Sequence, residues 1–247
     1  MKKDVIIACD FASRAEVRDF LDLFPNEKPF VKIGMELFYA EGPEIVRAVK
    51  ARGHRIFLDL KLHDIPNTVR KTMAVLSGLD VDMTNLHAAG GSAMMRDALC
   101  GLTRPDGTRP LLIAVTQLTS TGPEMLQNEL WINRPMDETV LHYAQNAAAS
   151  GLDGVVCSPR EAARILEVCG RRFLTVTPGI RCADAQQDDQ VRVMTPAQAR
   201  AIGSDFIVVG RPVTAAADPA AAYRRCLAEF GCEFGCESTH ESVPKNT

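Results

Sequence analysis

Short apolar runs alternate with longer stretches of helical periodicity along almost the whole chain. Asp4 to Asp10 (DVIIACD) reads as a buried strand ending on an aspartate, and Ser13 is placed to cap a helix running to Phe24. Phe30 to Met35 (FVKIGM) is a second strand, interrupted by Lys32, and Pro43 to Lys50 belongs to a helix. The third strand begins at Ile56, and Pro66 fits the first turn of a helix reaching about Leu79. Further strands fall at Val81 to His87, Leu111 to Gln117, Gly154 to Ser158, Phe173 to Thr177 and Phe206 to Gly210. The helices between and after them run from Ser92 to Leu102, Thr139 to Ser150, Pro159 to Val168, Thr195 to Ile202, and Pro212 to near Phe230. Eight apolar strands, each followed by a helical segment, predict a closed parallel sheet, a (β/α)8 TIM barrel. An open doubly wound sheet is the rival, but it wants a glycine-rich turn after its first strand, and CDFAS has no glycine. One catalytic domain is expected over residues 1–230, and residues 231–247, which lack apolar periodicity, read as a flexible tail.

Composition narrows the class. The 28 lysines and arginines nearly balance 31 aspartates and glutamates, so no electrostatic footprint for nucleic acid is expected. No apolar run is long enough to span a membrane, and MKKDVIIACDFAS is too short in apolar residues for a signal peptide, which predicts a soluble cytoplasmic protein. Of eight cysteines, Cys9 and Cys157 lie in or beside strand-like runs as small hydrophobes, and disulfides are not expected. Cys226, Cys232, Cys236 and His240 can be read as a metal cluster, but the spacing is looser than in zinc sites. Thiols on a frayed tail are the preferred reading, and no metal site is expected.

Within the third strand the pattern breaks. The stretch Ile56 to Val69 (IFLDLKLHDIPNTV) buries Asp59 and Lys61 among apolar residues, with Asp64 following where the strand runs out. Burying charge costs several kcal/mol per ion, roughly, unless the charges are paired. Residues two apart on a strand face the same way, so Asp59 and Lys61 share one wall. In a parallel barrel the catalytic groups lie at the C-terminal ends of the strands, where Asp10, Lys32, Asp59 and Lys61 all fall. An internal ion-pair network kept for stability is the bland alternative. TPGIR (Thr177 to Arg181) after the seventh strand and GRP (Gly210 to Pro212) after the eighth occupy the usual phosphate site of such barrels, with Arg181 and Arg211 as fork-shaped donors. His63 reads as a loop residue, since His54, His87 and His142 do not cluster with it in sequence. Thr119 and Ser120 either bond a ligand or cap a helix.

Together, FASR, VKIGMEL, DLKLHDIPNT, TPGIR, DDQVRVMTP and VVGRPVT make the chain resemble the orotidine 5'-phosphate decarboxylase family from about Asp4 to Phe230. The resemblance implies conversion of orotidine 5'-monophosphate to UMP and CO2 in pyrimidine biosynthesis, by a monofunctional carboxy-lyase without metal or organic cofactor. It implies that Lys61 protonates C6 within an array of Asp59, Lys61, Asp64 and Lys32. It further implies that Asp64 and Thr68 reach into a neighbouring subunit's site, so that the active sites are shared in a homodimer. Asp10 and Lys32 are similar to residues that hold the ribose, and Thr119 and Ser120 to the stretch beside the pyrimidine. Gln190, Gly210 and Arg211 resemble a phosphate grip, with Arg181 close by. The alternatives are a magnesium-dependent sugar-phosphate decarboxylase of the same superfamily, a Schiff-base aldolase using Lys61, and a non-catalytic sensor of a phosphate ligand.

Overall fold

The computed structural model describes residues 3–181 and 194–232. Eight strands pair in chain order, all parallel, and the last returns to the first, closing the sheet. They are β1 (Asp4–Ala8), β2 (Phe30–Gly34), β3 (Ile56–Leu62), β4 (Met83–His87), β5 (Leu111–Val115), β6 (Gly154–Val156), β7 (Leu174–Thr177) and β8 (Phe206–Val209). Around them lie α1 (Arg14–Leu21), α2 (Met35–Glu41), α3 (Glu44–Ala51), α4 (Pro66–Ser77), α5 (Gly91–Leu102), α6 (Pro123–Asn128), α7 (Met136–Ala149), α8 (Pro159–Cys169), α9 (Pro196–Ala201), α10 (Arg211–Thr214) and α11 (Pro219–Phe230). The chain is the (β/α)8 TIM barrel that the alternation predicts.

The differences from the pattern are short elements. Helices α2 and α6 bury one residue each, Leu37 and Leu126, too few to print a helical period. The single helix expected from Pro212 is two: Asp218 caps α11 by accepting the Ala221 N–H at 2.9 Å, and Pro219 starts it afresh. The expected cap forms at Ser13, which accepts the Glu16 N–H, and Thr195 shares a capping box with Gln198 at the start of α9. Of the expected tail, residues 233–247 lie outside the described residues, including Cys236 and His240.

Most strands are apolar on both faces because each face meets a different core. Ile7, Val31, Leu58, Val155 and Ile207 point outward under the helices. Ile6, Phe30, Phe57, Met83, Ile113 and Phe206 point inward and fill the barrel. Phe30 meets Phe206 edge to face at 6.1 Å, and the Arg55 guanidinium lies 4.4 Å over the Phe30 ring. Two residues further along the inward faces of β2, β3 and β4 come Lys32, Asp59 and Asn85. The polar chemistry is therefore laid on top of an apolar plug.

The opposite mouth of the barrel is fastened by a device used three times. Asp82, Asp153 and Asp205 stand immediately before β4, β6 and β8. Each donates its own N–H to a carbonyl of the preceding strand, at Ile56, Leu112 and Thr175. Each then accepts, through its carboxylate, the N–H of that same residue, at 2.8, 2.7 and 2.9 Å. The carboxylate thus satisfies a strand-start donor that the ladder leaves open. Lys50 pairs with Asp82 at 3.1 Å and Arg109 grips Asp153 with a bond of 2.8 Å. Asp153→Ala is expected to lower stability by about 2 kcal/mol, the range for charge-assisted bonds, while leaving kcat unchanged. Urea denaturation monitored by circular dichroism, with turnover measured in parallel, checks both.

Candidate active site

Four charged side chains from three strand ends meet above the plug. Lys32 on β2 reaches Asp10 at 2.9 Å and Asp59 at 3.5 Å. Lys61 donates to the other Asp59 oxygen, Oδ1, at 2.7 Å, and Asn85 Nδ2 donates to that same oxygen, also at 2.7 Å. Asp59 is buried, with 7% of its surface exposed. Burial would raise its pKa, but Lys32, Lys61 and their hydrogen bonds outweigh that and hold the carboxyl below its ordinary range. Burial would likewise push the Lys32 ammonium down, and the carboxylates of Asp59 and Asp10 reverse it, so that it stays above its ordinary value. Gly34 leaves the space for this pairing: a Cβ there would sit 3.3 Å from Lys32 Nζ and 3.4 Å from Asp10 Oδ1.

The wall carrying Asp59 and Lys61 is not a regular strand. Lys61 has φ of 50°, in the left-handed region that side-chain-bearing residues rarely adopt. Its backbone N–H donates to Asn85 Oδ1 at 2.8 Å, so one buried amide serves both the carboxylate and the lysine backbone. Asn85 is a further member of the site, outside the charged positions that the sequence singles out. Its signal is a polar residue in the β4 run MTNLH, two before His87 and hence on the same face. His63 is in the loop after β3, as expected, and its ring stands 5.7 Å from that of His87, whose pKa is lowered by burial and by the nearby His63 and Lys61. His54 lies elsewhere, buried with Nδ1 against the Pro29 carbonyl, and His142 contacts Asn146.

Asp64 is not part of the four-membered array within this chain. It is exposed, its carboxylate accepts the neighbouring Ile65 N–H at 2.6 Å, and it forms no ion pair among the described residues. The strand has ended by then, so the period of two no longer holds Asp64 to the Asp59 and Lys61 wall. With Lys61, His63, Thr68, Met35 and Tyr39 it lines a cavity of about 320 Å³. Thr119 and Ser120 are exposed in the turn between β5 and α6. Gly179 takes φ of 80° after β7, and Arg181, half-buried, pairs through its backbone N–H with the Met194 carbonyl at 3.0 Å. Gly210 follows β8 and its carbonyl accepts from Val213 and Thr214 at the start of α10, whose first residue is Arg211. These two loops leave adjacent strands, tied together by Thr177, whose hydroxyl bonds Ser204 and the Phe206 carbonyl, each at 3.2 Å. Gln190 lies outside the described residues.

A closed parallel barrel with lysines and aspartates interleaved at its strand ends belongs to the class of barrel enzymes that work through placed charge. Comparison with known proteins narrows this. Residues 3–226 match the orotidine 5'-phosphate decarboxylase / HUMPS family. The chain is 58% identical over 233 residues to the orotidine 5'-phosphate decarboxylase of Geobacillus sp. strain WCH70, covering 93% of this chain and 98% of that one. It is likewise 58% identical over 233 residues to the enzyme of that name from Bacillus caldolyticus, covering 93% and 96%. The crystal structure of orotidine 5'-phosphate decarboxylase from Lactobacillus acidophilus matches with a TM-score of 0.84 at 42% identity, covering 94% of this chain and all of that one. The chain belongs to the orotidine 5'-phosphate decarboxylase / HUMPS family.

Removing the central anion leaves two partly buried cations facing each other. Asp59→Asn is expected to destabilise the fold by about 3 kcal/mol, as when one partner of a buried pair is lost. Guanidinium denaturation measures it, and a change under about 0.5 kcal/mol would show that the array is not a mutually stabilised unit.

Proposed function

We infer that the chain decarboxylates orotidine 5'-monophosphate to UMP and CO2, a step of pyrimidine biosynthesis. The observation that carries this reading is the buried Asp59 carboxylate that holds Lys32 and Lys61 beside it. When the C6 carboxylate leaves as CO2, the bonding electron pair stays on C6, which has no adjacent carbonyl to take it. Placed cations stabilise that charge, and an ammonium within reach supplies the proton that quenches it. Lys61 does both, transferring one Nζ proton to C6 and recovering one from solvent before the next turnover. Asp59, kept ionised, sets negative charge against the substrate carboxylate, and the repulsion is relieved as CO2 departs. Asp10 and Lys32 hold the ribose, and Thr119 and Ser120 lie beside the pyrimidine. The loops bearing Arg181, Gly210 and Arg211, with Gln190, hold the 5'-phosphate. Binding energy from that remote group positions the reacting end, so phosphate-site variants lower kcat/KM rather than KM alone. No metal or organic cofactor enters this scheme.

The active unit is a homodimer with shared sites. Asp64 and Thr68 are exposed at the rim of the cavity beside Lys61, and Met35, Tyr39, Ile65 and Val75 are exposed apolar residues on the same stretch of chain and the helices beside it. A second copy would cover this surface and bring Asp64 to a site where, among the described residues, Lys61 pairs with no carboxylate but Asp59. The working compartment is the cytoplasm; no described helix is long and apolar enough to cross a membrane. The magnesium-dependent sugar-phosphate decarboxylase is the second reading, and a chelator separates the two.

The test is ultraviolet-monitored turnover of orotidine 5'-monophosphate in EDTA, with Lys61→Ala alongside. Wild type is expected to convert the substrate and the variant to lose at least about 10³-fold; no turnover by folded wild-type protein contradicts the reading. Mixing Lys61→Ala with Asp64→Ala is expected to restore about a quarter of wild-type activity, because half the dimers are mixed and one of their two sites is intact. No recovery on mixing contradicts the shared site.

A further inference from the structure

β3 and β4 fall out of register where the chemistry sits. Leu58 is opposite Thr84 and Leu62 is opposite Leu86, so three residues of β3, Asp59, Leu60 and Lys61, stand opposite Asn85 alone. A bulge of that kind leaves backbone donors without a ladder partner and re-aims side chains. The N–H of Lys61 is such a donor, and it is bonded by the Asn85 side chain rather than by the β4 backbone. The amide orientation follows from its partners: Oδ1 faces an N–H and Nδ2 faces a carboxylate, and a flipped amide would oppose both. Asn85 has no exposed surface.

We propose that Asn85 is a positioning residue for the decarboxylation, clasping the β3 bulge so that Lys61 stays in its left-handed conformation with Nζ on Asp59. The inference rests on the function given above and extends it to a side chain that does not itself meet the substrate. One end of the amide fixes the lysine's backbone and the other fixes the carboxylate against which the ammonium is aimed. The distance from Lys61 N to Asp59 Oδ1 is thereby set by a rigid three-atom bridge rather than by two mobile side chains. Thr84 supports the same junction, its buried hydroxyl donating to the Leu58 carbonyl at 3.0 Å, one residue before the bulge.

The experiment compares Asn85→Ala and Asn85→Asp with wild type in kcat, KM and pH profile. Losing the clasp is expected to lower kcat about 100-fold, the scale of a misplaced reacting group, with KM changed less than about threefold because the phosphate grip lies on β7 and β8. Asn85→Asp keeps the shape but sets a second carboxyl against Asp59, and two carboxyls sharing a site hold one proton with a raised pKa. With that proton bound, the new group donates to Asp59 as the amide does. Its kcat relative to wild type is therefore expected to rise at least about tenfold as pH is lowered from about 8 to about 5.5. The other titratable groups around the site, Asp10, Lys32, Lys61, His63 and His87, are common to both proteins, so the ratio isolates the introduced carboxyl. A merely structural role would move stability without this acid recovery.

A kcat for Asn85→Ala within threefold of wild type, or an Asn85→Asp profile parallel to wild type, overturns the proposal. If Asn85→Ala does not fold, the near-isosteric Asn85→Asp decides alone. Amide hydrogen exchange in the ligand-free protein judges the clasp without turnover. Asn85→Ala, which removes the acceptor, is expected to speed exchange of the Lys61 N–H at least about tenfold while leaving that of Val31 unchanged. Unchanged exchange at Lys61 overturns the clasp even if catalysis fails, whereas wild-type protein that exchanges as expected but does not turn over contradicts the function alone.

Discussion

The carboxylate of Asp59 is the constraint on which the rest of the site depends. A charge with so little exposure is tolerable only if its oxygens are occupied by donors, and here three side chains supply them: Lys32, Lys61 and Asn85. Each belongs to a different part of the sheet, so satisfying one buried anion fixes β2, the bulged end of β3, and β4 relative to one another. The same bonds hold both ammonium groups aimed before any ligand arrives. Electrostatic stabilisation of this kind is useful because its reorganisation is done during folding rather than during reaction.

The barrel makes that arrangement possible by separating its two ends. Below the array, Phe30, Phe57, Met83 and Phe206 exclude water and give the charges a low-dielectric floor, which strengthens each pairing. At the far mouth, Asp82, Asp153 and Asp205 lock strand starts in pairs with carboxylates that take no part in the chemistry. Rigidity is thus built at the N-terminal end, and strain is admitted at the other, where Lys61 holds its positive φ.

Most of the fold was legible in the sequence because burial on two faces makes a barrel strand a short, largely apolar run, as in β1, β2, β5 and β8. The helices α2 and α6 were not, since a helix of one or two turns with one buried side chain has no period to read. In the site, Asp59 and Lys61 stood out as charges inside an apolar run. Asn85 did not, because a neutral amide in a strand gives no hint that it meets both a carboxylate and a backbone N–H from another strand. Asp64 is exposed two residues beyond the end of β3, as a carboxylate reaching into a neighbouring subunit's site has to be. The paired strand-start aspartates were equally silent: each has a neighbour-dependent role that only the closed sheet reveals.

In the ligand-free protein Asp59 is ionised and locked between its donors. Carbon-13 NMR titration of the aspartate carboxylates, with Asp59 assigned through Asp59→Asn, tests it directly. The account predicts a pKa below the ordinary aspartate value, moving up when Lys32 is replaced by Met. A value at or above the ordinary range in the wild type would mean that burial outweighs the lysines, and would contradict the account.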